Sequence, residues 1–493
     1  MLSLIVVYEE NLGIGKNNNL PWKLKNEMEY FTKITSLAPE NENNIVIMGR
    51  NTWDSIPKSF KPLKNRINII ITSRELELEK YNNTYKYKNL NDCLTELKIK
   101  KDLNYNKIFI IGGSKLYNEV LENELLNELY LTKIYDKIDT DIKFVYDKKT
   151  LNNILKKYDL ISCSGFNKEY CKINNKDLYF RYFHYKKKDP NNIIFKNNEE
   201  EQYLRILNNI LSNGIKRGDR TGTGTLSVFG EFQQYNLNET FPLLTTKRIF
   251  FRGIFEELML YIRGQTDNNI LVKKGINIWN GNTSREFLDS RNLTHYKEGD
   301  MGETYGFNFR HFGGDYLGCE YDYKENKNNL DNGFDQIKNV IDLIKNNPES
   351  RRIIITLWNP KTNYKAALPS CLCWYQFYVN TKKNELDLII NIRSSDFFLA
   401  NNWNICTGAL LCHIICNLKD INLKPGNLKV ISGDTHIYLN HLEQCKENLL
   451  RNPRPFPKLL INKEFDNMED IEFSDLNLIG YEPYPNIKAD MSV

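Results

Sequence analysis

The chain has 493 residues, a net charge of +5, and hydrophobic and aromatic contents of 41% and 12%. That length exceeds one ordinary core, so two or more globular domains are expected. The mild positive balance excludes a nucleic-acid coat and points instead to local anion sites. No apolar run approaches the ~20 residues of a membrane span, since the longest candidate, near Cys406–Leu418, contains His413 and Asn417. Neither DNA nor a membrane is an expected partner. The opening Met-Leu-Ser-Leu-Ile-Val-Val-Tyr lacks a basic flank and a small-residue cleavage site, and reads as a strand. Ten cysteines show neither disulfide-framework nor zinc-knuckle spacing. A reducing, cytoplasmic setting and no metal site are expected.

Residues 1–186 alternate short β-branched runs with helical stretches. Leu4–Tyr8, Asn44–Met48, Ile67–Thr72, Lys107–Ile111 and Leu129–Tyr135 read as strands, with Lys23–Thr35 and Ser114–Leu121 as helices between them. That order predicts an α/β fold with a central, largely parallel sheet. Tyr179–Lys186 alternates again and reads as an antiparallel edge.

Three features here carry chemistry. The loop Gly13-Ile14-Gly15-Lys16 through Trp22 precedes a helix bearing Glu27. A carboxylate facing apolar Leu20, Phe31 and Ile56 would be desolvated and its pKa raised. It could anchor an amidine-like ring and help protonate it; the plainer reading is a solvated helix charge. Second, Gly49-Arg50-Asn51-Thr52 ends a strand and starts a helix, a place where phosphate binds. Third, Gly112-Gly113-Ser114 repeats that arrangement, and Ser73-Arg74 offers a further phosphate ligand.

Together these stretches, with Pro62-Leu63-Lys64-Asn65-Arg66, resemble the dihydrofolate reductase family over residues 1–186. The resemblance implies a sheet flanked by helices, with NADPH and dihydrofolate in one cleft. It makes Glu27 the pterin-binding acid, supported by Thr132, and pairs Arg66 with the folate α-carboxylate near Phe31. Gly15, Lys16, Gly49, Arg50, Thr52, Ser73, Arg74, Gly113 and Ser114 would line NADPH.

Residues 187–198 are polar, with one proline, and read as a short linker. Asn- and Lys-rich tracts at Asn17–Asn19 and Lys324–Asn329 read as loop insertions or compositional bias. From Glu199 a second domain begins with a helix, Glu199–Ser212, followed by the basic, glycine-rich loop around Arg220. The apolar helix Gly253–Arg263 carries Glu256 and Glu257, one of which should face inward because Ile254, Leu258 and Tyr261 mark a buried stripe. Downstream lie Arg351-Arg352 heading a strand, then Pro369-Ser370-Cys371 opening an alternating apolar and aromatic strand. Arg393-Ser394-Ser395-Asp396, Trp403-Asn404 and Gly433-Asp434-Thr435-His436-Ile437-Tyr438 follow.

A thiol at a strand mouth among arginines can be held as thiolate, because positive neighbours lower its pKa. An arbitrary cysteine is more often core, and each arginine alone could be a surface ion pair. The set as a whole fits a thiolate adding to an electron-poor heterocycle, with arginines on a phosphate, an amide on the ring edge and a carboxylate relaying protons.

At these motifs residues 199–493 resemble the thymidylate synthase family, with an α+β fold. The whole chain is similar to the fused dihydrofolate reductase–thymidylate synthases. The resemblance makes Cys371 the nucleophile on dUMP and puts Arg220, Arg393 and Ser394 on its phosphate. Arg351 and Arg352 would join them from the other subunit of a homodimer formed through the second domain. Asn404 would read the uracil edge, and His436 and Tyr438 the ribose. Glu257 and Tyr305 would order water, with Trp279, Asn282 and Asp396 at the folate. 5,10-Methylenetetrahydrofolate would be the co-substrate, and the first domain would reduce the dihydrofolate product with NADPH.

The chain departs from that pattern where Leu372 replaces a usual His and Ile392 a usual Gln. Gly302-Glu303-Thr304-Tyr305-Gly306 and Phe398-Leu399-Ala400 also differ from the common motifs. Two other readings stand beside the leading one. A dCMP hydroxymethylase usually carries Asp where Asn404 stands, and a nucleotide- or RNA-binding scaffold would have one degenerate site.

Overall fold

The structure, a computed structural model, describes residues 1–99, 104–323 and 331–491. The Lys324–Asn329 tract lies outside the described residues. The chain divides into two compact units, Met1–Phe195 and Lys196–Val493.

The first unit is built on a nine-stranded sheet among the described residues. Strands β1 (Leu2–Tyr8), β2 (Asn43–Gly49), β3 (Arg66–Ile71), β4 (Thr84–Tyr87), β5 (Tyr105–Gly112) and β6 (Leu126–Ile134) run parallel in the order β6-β1-β5-β2-β3-β4. Ile45–Met48 is wholly buried, as a continuous β-branched run must be when both sheet faces are covered. The covering helices include α1 (Lys25–Ser36), α2 (Arg50–Ser55) and α3 (Ser114–Leu121).

Three further strands, β7 (Tyr158–Cys163), β8 (Asn167–Cys171) and β9 (Lys176–Lys187), finish the unit. β9 lies antiparallel to β6, as its alternation predicts. It is not the edge, because β7 and β8 both pair with its far side. Residues 188–195 then run back along β7: Lys188 N–H donates to Lys157 O at 3.0 Å and Phe195 N–H to Leu160 O at 2.7 Å.

The second unit opens with α4 (Asn198–Asn213), capped by the Asn197 side chain. Its six-stranded sheet has the order β10 (Ile215–Arg217), β11 (Thr225–Asn236), β15 (Lys424–Tyr438), β14 (Glu385–Asp396), β13 (Leu372–Asn380), β12 (Ile354–Thr356). Among the described residues, only the β14–β15 pair of this sheet is parallel. One face carries the main core with α5 (Phe251–Ile262) and α6 (Asn401–Cys416). Every α5 residue except Arg252 is buried, so the stripe of Ile254, Leu258 and Tyr261 is part of a helix enclosed on all sides.

The other sheet face is exposed and carries large side chains. Phe232, Ile431, Asn391 and Trp374 stand in successive register across four strands. Phe232, Ile431 and Trp374 are 40–49% exposed, and Phe229 and Tyr378 extend the patch.

Candidate active sites

In the first unit, Glu27 sits in the opening turn of α1 yet is only 4% exposed. Burial, with the charge of Glu169, raises its carboxyl to about 7, against a hydrogen bond from Thr132 on β6. Leu20, expected to face it, is 46% exposed instead. The groups that respond to its charge are Tyr30, Tyr117 and Tyr182, whose hydroxyls are all pushed up, first by burial. Three different elements bring them together, which is why no local pattern announces them. Trp22 leaves a buried indole N–H without a partner.

Arg66, at the start of β3, is buried. Its guanidinium donates to Thr35 Oγ1 at 2.7 Å and lies 5.9 Å from the Phe31 ring centre. Phe31 and Thr35, on Glu27's own helix, therefore form one wall with Arg66.

The glycines meet where β2 and β5 end. Gly49 approaches Gly112 O and Gly113 N at 3.8 Å, measured from the place a Cβ would occupy. A Cβ on Gly112 would meet Thr52 Oγ1 at 3.2 Å and on Gly113 at 3.3 Å; Gly112 also has φ +130°. Side chains on these glycines would crowd Thr52 and Tyr117, so bare backbone is what lets the two strand ends and the start of α2 pack this closely. Arg50 lies alongside, bonded to Asp54 and Glu75 O. Ser73 and Arg74 are exposed. The Ser114 hydroxyl donates to Lys143 O at 2.6 Å, and Lys16 pairs with Asp139. Gly15 faces Asn19 O and Ile142.

In the second unit the Pro369-Ser370 turn presents Cys371 just before β13. Its N–H donates to the Tyr305 hydroxyl at 2.9 Å and its carbonyl accepts from Arg393 N–H at 2.9 Å. The Arg393 guanidinium holds the turn itself, donating to Ser370 O at 2.9 Å and Pro369 O at 3.0 Å. Arg393 and Arg220 both favour the thiolate, as the sequence suggests. The net direction is nevertheless upward, because burial outweighs them. A lowered thiol pKa is thus corrected for the chain by itself: two arginines do not offset the lost water. Arg351 and Arg352 stand exposed ahead of β12.

Glu257 projects from α5 between two indoles. Trp279 Nε1 and Trp403 Nε1 each donate to one of its oxygens at 2.7 Å. Burial raises its pKa, against these two bonds and one from Tyr261. Tyr261 stacks on Tyr305 at 4.9 Å, which completes a path from Glu257 to Cys371. Glu256 is buried too, but pairs with Lys274 at 2.5 Å, so the two acids separate into different roles. Trp403 as second donor escapes sequence reading, because α6 brings it from 146 residues away.

The parallel β14–β15 register sets Ser394 beside Asp434 and Asp396 beside His436. His436 Nδ1 lies 2.9 Å from Asp434 Oδ1 and the ring meets Tyr438 edge-on at 5.4 Å. Tyr438 feels the charges of Asp396, Asp219, Arg220 and Cys371, with burial the main cause of its rise to about 12. These side chains therefore converge at one end of the sheet. Asn404 is partly buried on the first turn of α6, whose Asn401 side chain donates to Ser395 Oγ of β14 at 3.2 Å. Asn282 is 5% exposed and its Nδ2 is a buried donor without a partner.

One unit thus pairs a buried acid with a glycine cradle, and the other surrounds a thiol with arginines and a buried glutamate. Residues 1–167 match the family model described as dihydrofolate reductase, and residues 201–493 that described as thymidylate synthase. The molecule is of the class that carries these two enzymes on one chain.

Bifunctional dihydrofolate reductase-thymidylate synthase of Leishmania major is 38% identical over 100% of this chain and 95% of its own length. That of Paramecium tetraurelia is 37% identical over 100% and 98%. The chain belongs to the bifunctional dihydrofolate reductase–thymidylate synthase family.

Proposed function

We propose that Cys371 and Glu27 are the chemical centres of the chain's two activities. The second unit methylates dUMP reductively to dTMP, with 5,10-methylenetetrahydrofolate supplying both the methylene and a hydride. The first reduces the dihydrofolate so formed, with NADPH supplying the hydride.

Cys371 adds as thiolate to the pyrimidine ring and leaves at the end of the cycle. Burial, with Asp396, holds this thiol's pKa above the ordinary value despite Arg393 and Arg220, so further cations in the site would favour the attacking thiolate. Arg220, Arg393 and Ser394 bind the nucleotide phosphate, Asn404 the ring edge, and His436 with Tyr438 the ribose. Glu257, held by two indoles and raised by burial, moves the ring's proton through water, aided by Tyr305. Trp279, Asn282 and Asp396 line the folate. An amide at Asn404 favours dUMP over dCMP.

In the first unit Glu27 binds the pterin edge with Thr132 and, being near 7, holds a proton to deliver. Arg66 and Phe31 take the folate tail. Gly15, Lys16, Gly49, Arg50, Thr52, Ser73, Arg74, Gly113 and Ser114 hold NADPH, a role supported by the two helices that start directly after Gly49 and Gly113.

A homodimer through the second unit is supported by the exposed row of Phe232, Ile431 and Trp374. It would bring the partner's Arg351 and the partner's Arg352 to the phosphate. The expected setting is the cytoplasm; no helix among the described residues is long and apolar enough to cross a membrane.

The observation that carries the reading is the Arg393-bound turn presenting Cys371 beside Tyr305. Its test is a pair of variants assayed for both reactions. Cys371→Ser should abolish dTMP formation and spare dihydrofolate reduction, and Glu27→Gln should do the reverse. Retained dTMP synthesis by Cys371→Ser would refute the assignment.

A further inference from the structure

The helix that carries Glu27 has no cap of its own. Leu24 stands at the N-cap position and offers no side-chain acceptor, although the first N–H groups of a helix need one. The acceptor comes from 143 residues beyond Asn26. Glu169, on β8, takes the Lys25 N–H on one carboxylate oxygen and the Asn26 N–H on the other, the latter at 3.0 Å. Two residues along the same strand, Cys171 Sγ accepts the Lys23 N–H at 3.4 Å. Alternation along β8 thus aims both side chains at one stretch of backbone. The grip is backed by an apolar cluster in which Trp22 and Leu24 pack with Cys171, Leu178 and Phe180.

We propose that Glu169 is a positioning residue of the reductase, closing the N-terminus of α1 from a separate hairpin and holding a second negative charge beside Glu27. This rests on the assignment of Glu27 as the pterin acid. The physical argument is a division of labour between two carboxylates. The positive end of a helix normally stabilises an anion in its first turn. Here Glu169 has taken the first two N–H groups, so that stabilisation goes to Glu169 rather than to Glu27. The third residue of the helix is left with burial first and then with the repulsion of its neighbour, and it keeps its proton instead.

The other groups facing Glu27 do not supply this charge. Thr132 on β6, Tyr30 on α1 itself, Tyr117 on α3 and Tyr182 on β9 are hydroxyls. Tyr182 stacks on Tyr30 at 3.8 Å. Among nearby charges, Lys25 pairs with Glu29 at 3.7 Å, and Lys168 with Asp177 at 2.9 Å.

The test uses the full-length enzyme and the pH profile of dihydrofolate reduction, with dTMP synthesis in the same preparation as a measure of intact fold. Glu169→Gln keeps the shape and one acceptor but removes the charge. Its activity should fall with rising pH at a midpoint below the wild-type one, so that it loses severalfold at pH 8 and little at pH 5.5. Glu169→Asp, which keeps the charge, should retain the wild-type midpoint. A Glu169→Gln enzyme with lowered thermal stability but an unmoved midpoint would make Glu169 a cap only and overturn the proposal. If Glu169→Gln gives no active reductase, Glu169→Asp decides, and a lowered midpoint there overturns it. Failure of the underlying assignment is separate: it would show as retained reduction in Glu27→Gln.

Discussion

Leu372 and Ile392 lie directly opposite each other across β13 and β14. Both are fully enclosed, at 1% and 0% exposure, in the main core of the second unit. Their chain neighbours are Cys371 and Arg393, joined backbone to backbone at 2.9 Å. The two positions where a polar residue is expected beside the nucleotide are therefore one apolar pair, and the two departures are a single change.

That pairing predicts non-additivity. Leu372→His or Ile392→Gln alone would bury a polar group without a partner, at a cost of about 1–3 kcal/mol each. Together the two can bond across the strands, so the double variant should cost less than the sum of the singles. Urea midpoints of the four proteins measure this. Additive losses would mean that the two side chains do not share a site.

Glu27 makes the stability of the first unit depend on pH. Its carboxyl lies at about 7 when folded, against 4.5 for the ordinary group. The folded state therefore holds a proton that the unfolded state has lost between these values, and its contribution is full below pH 4.5 and lost as pH rises through 7. Glu27→Gln, which cannot ionise, should gain on the wild type across that window, by up to about 3 kcal/mol at pH 8. Thermal melts of the two proteins at pH 4.5 and pH 8 check it; an equal difference at both would count against a raised Glu27.

The exposed face of the six-stranded sheet predicts assembly. If Trp374 and Ile431 meet a second copy, Trp374→Glu with Ile431→Glu places charge in that interface. The variant should sediment as a monomer and lose dTMP synthesis while still reducing dihydrofolate. A monomeric wild type, or a variant that remains dimeric, would remove the basis for sharing Arg351 and Arg352.

Much of the architecture is legible because it rests on local pattern. The run Ile45–Met48 is β-branched or apolar throughout and is a buried parallel strand. Ser114–Leu121 starts after two glycines and is a helix over that same span. Leu20 shows the limit: an apolar residue near an acid in sequence need not touch it, and this one is exposed. The thiol shows another. Motifs can collect arginines around Cys371, but the sign of its pKa shift depends on how much water burial removes, which no spacing records.

By itself, then, the sequence determined the two-part organisation, the α/β alternation and the residue types that the proposed sites draw on, since those follow from periodicity and from motifs of a few adjacent residues. Tertiary structure alone decided which distant groups set their chemistry. Trp403 reaches Glu257 across 146 residues, Glu169 reaches the helix of Glu27 across 143, and strand register joins Leu372 to Ile392. The reason is physical: hydrogen bonding and desolvation act over a few ångströms of space, whatever the separation along the chain.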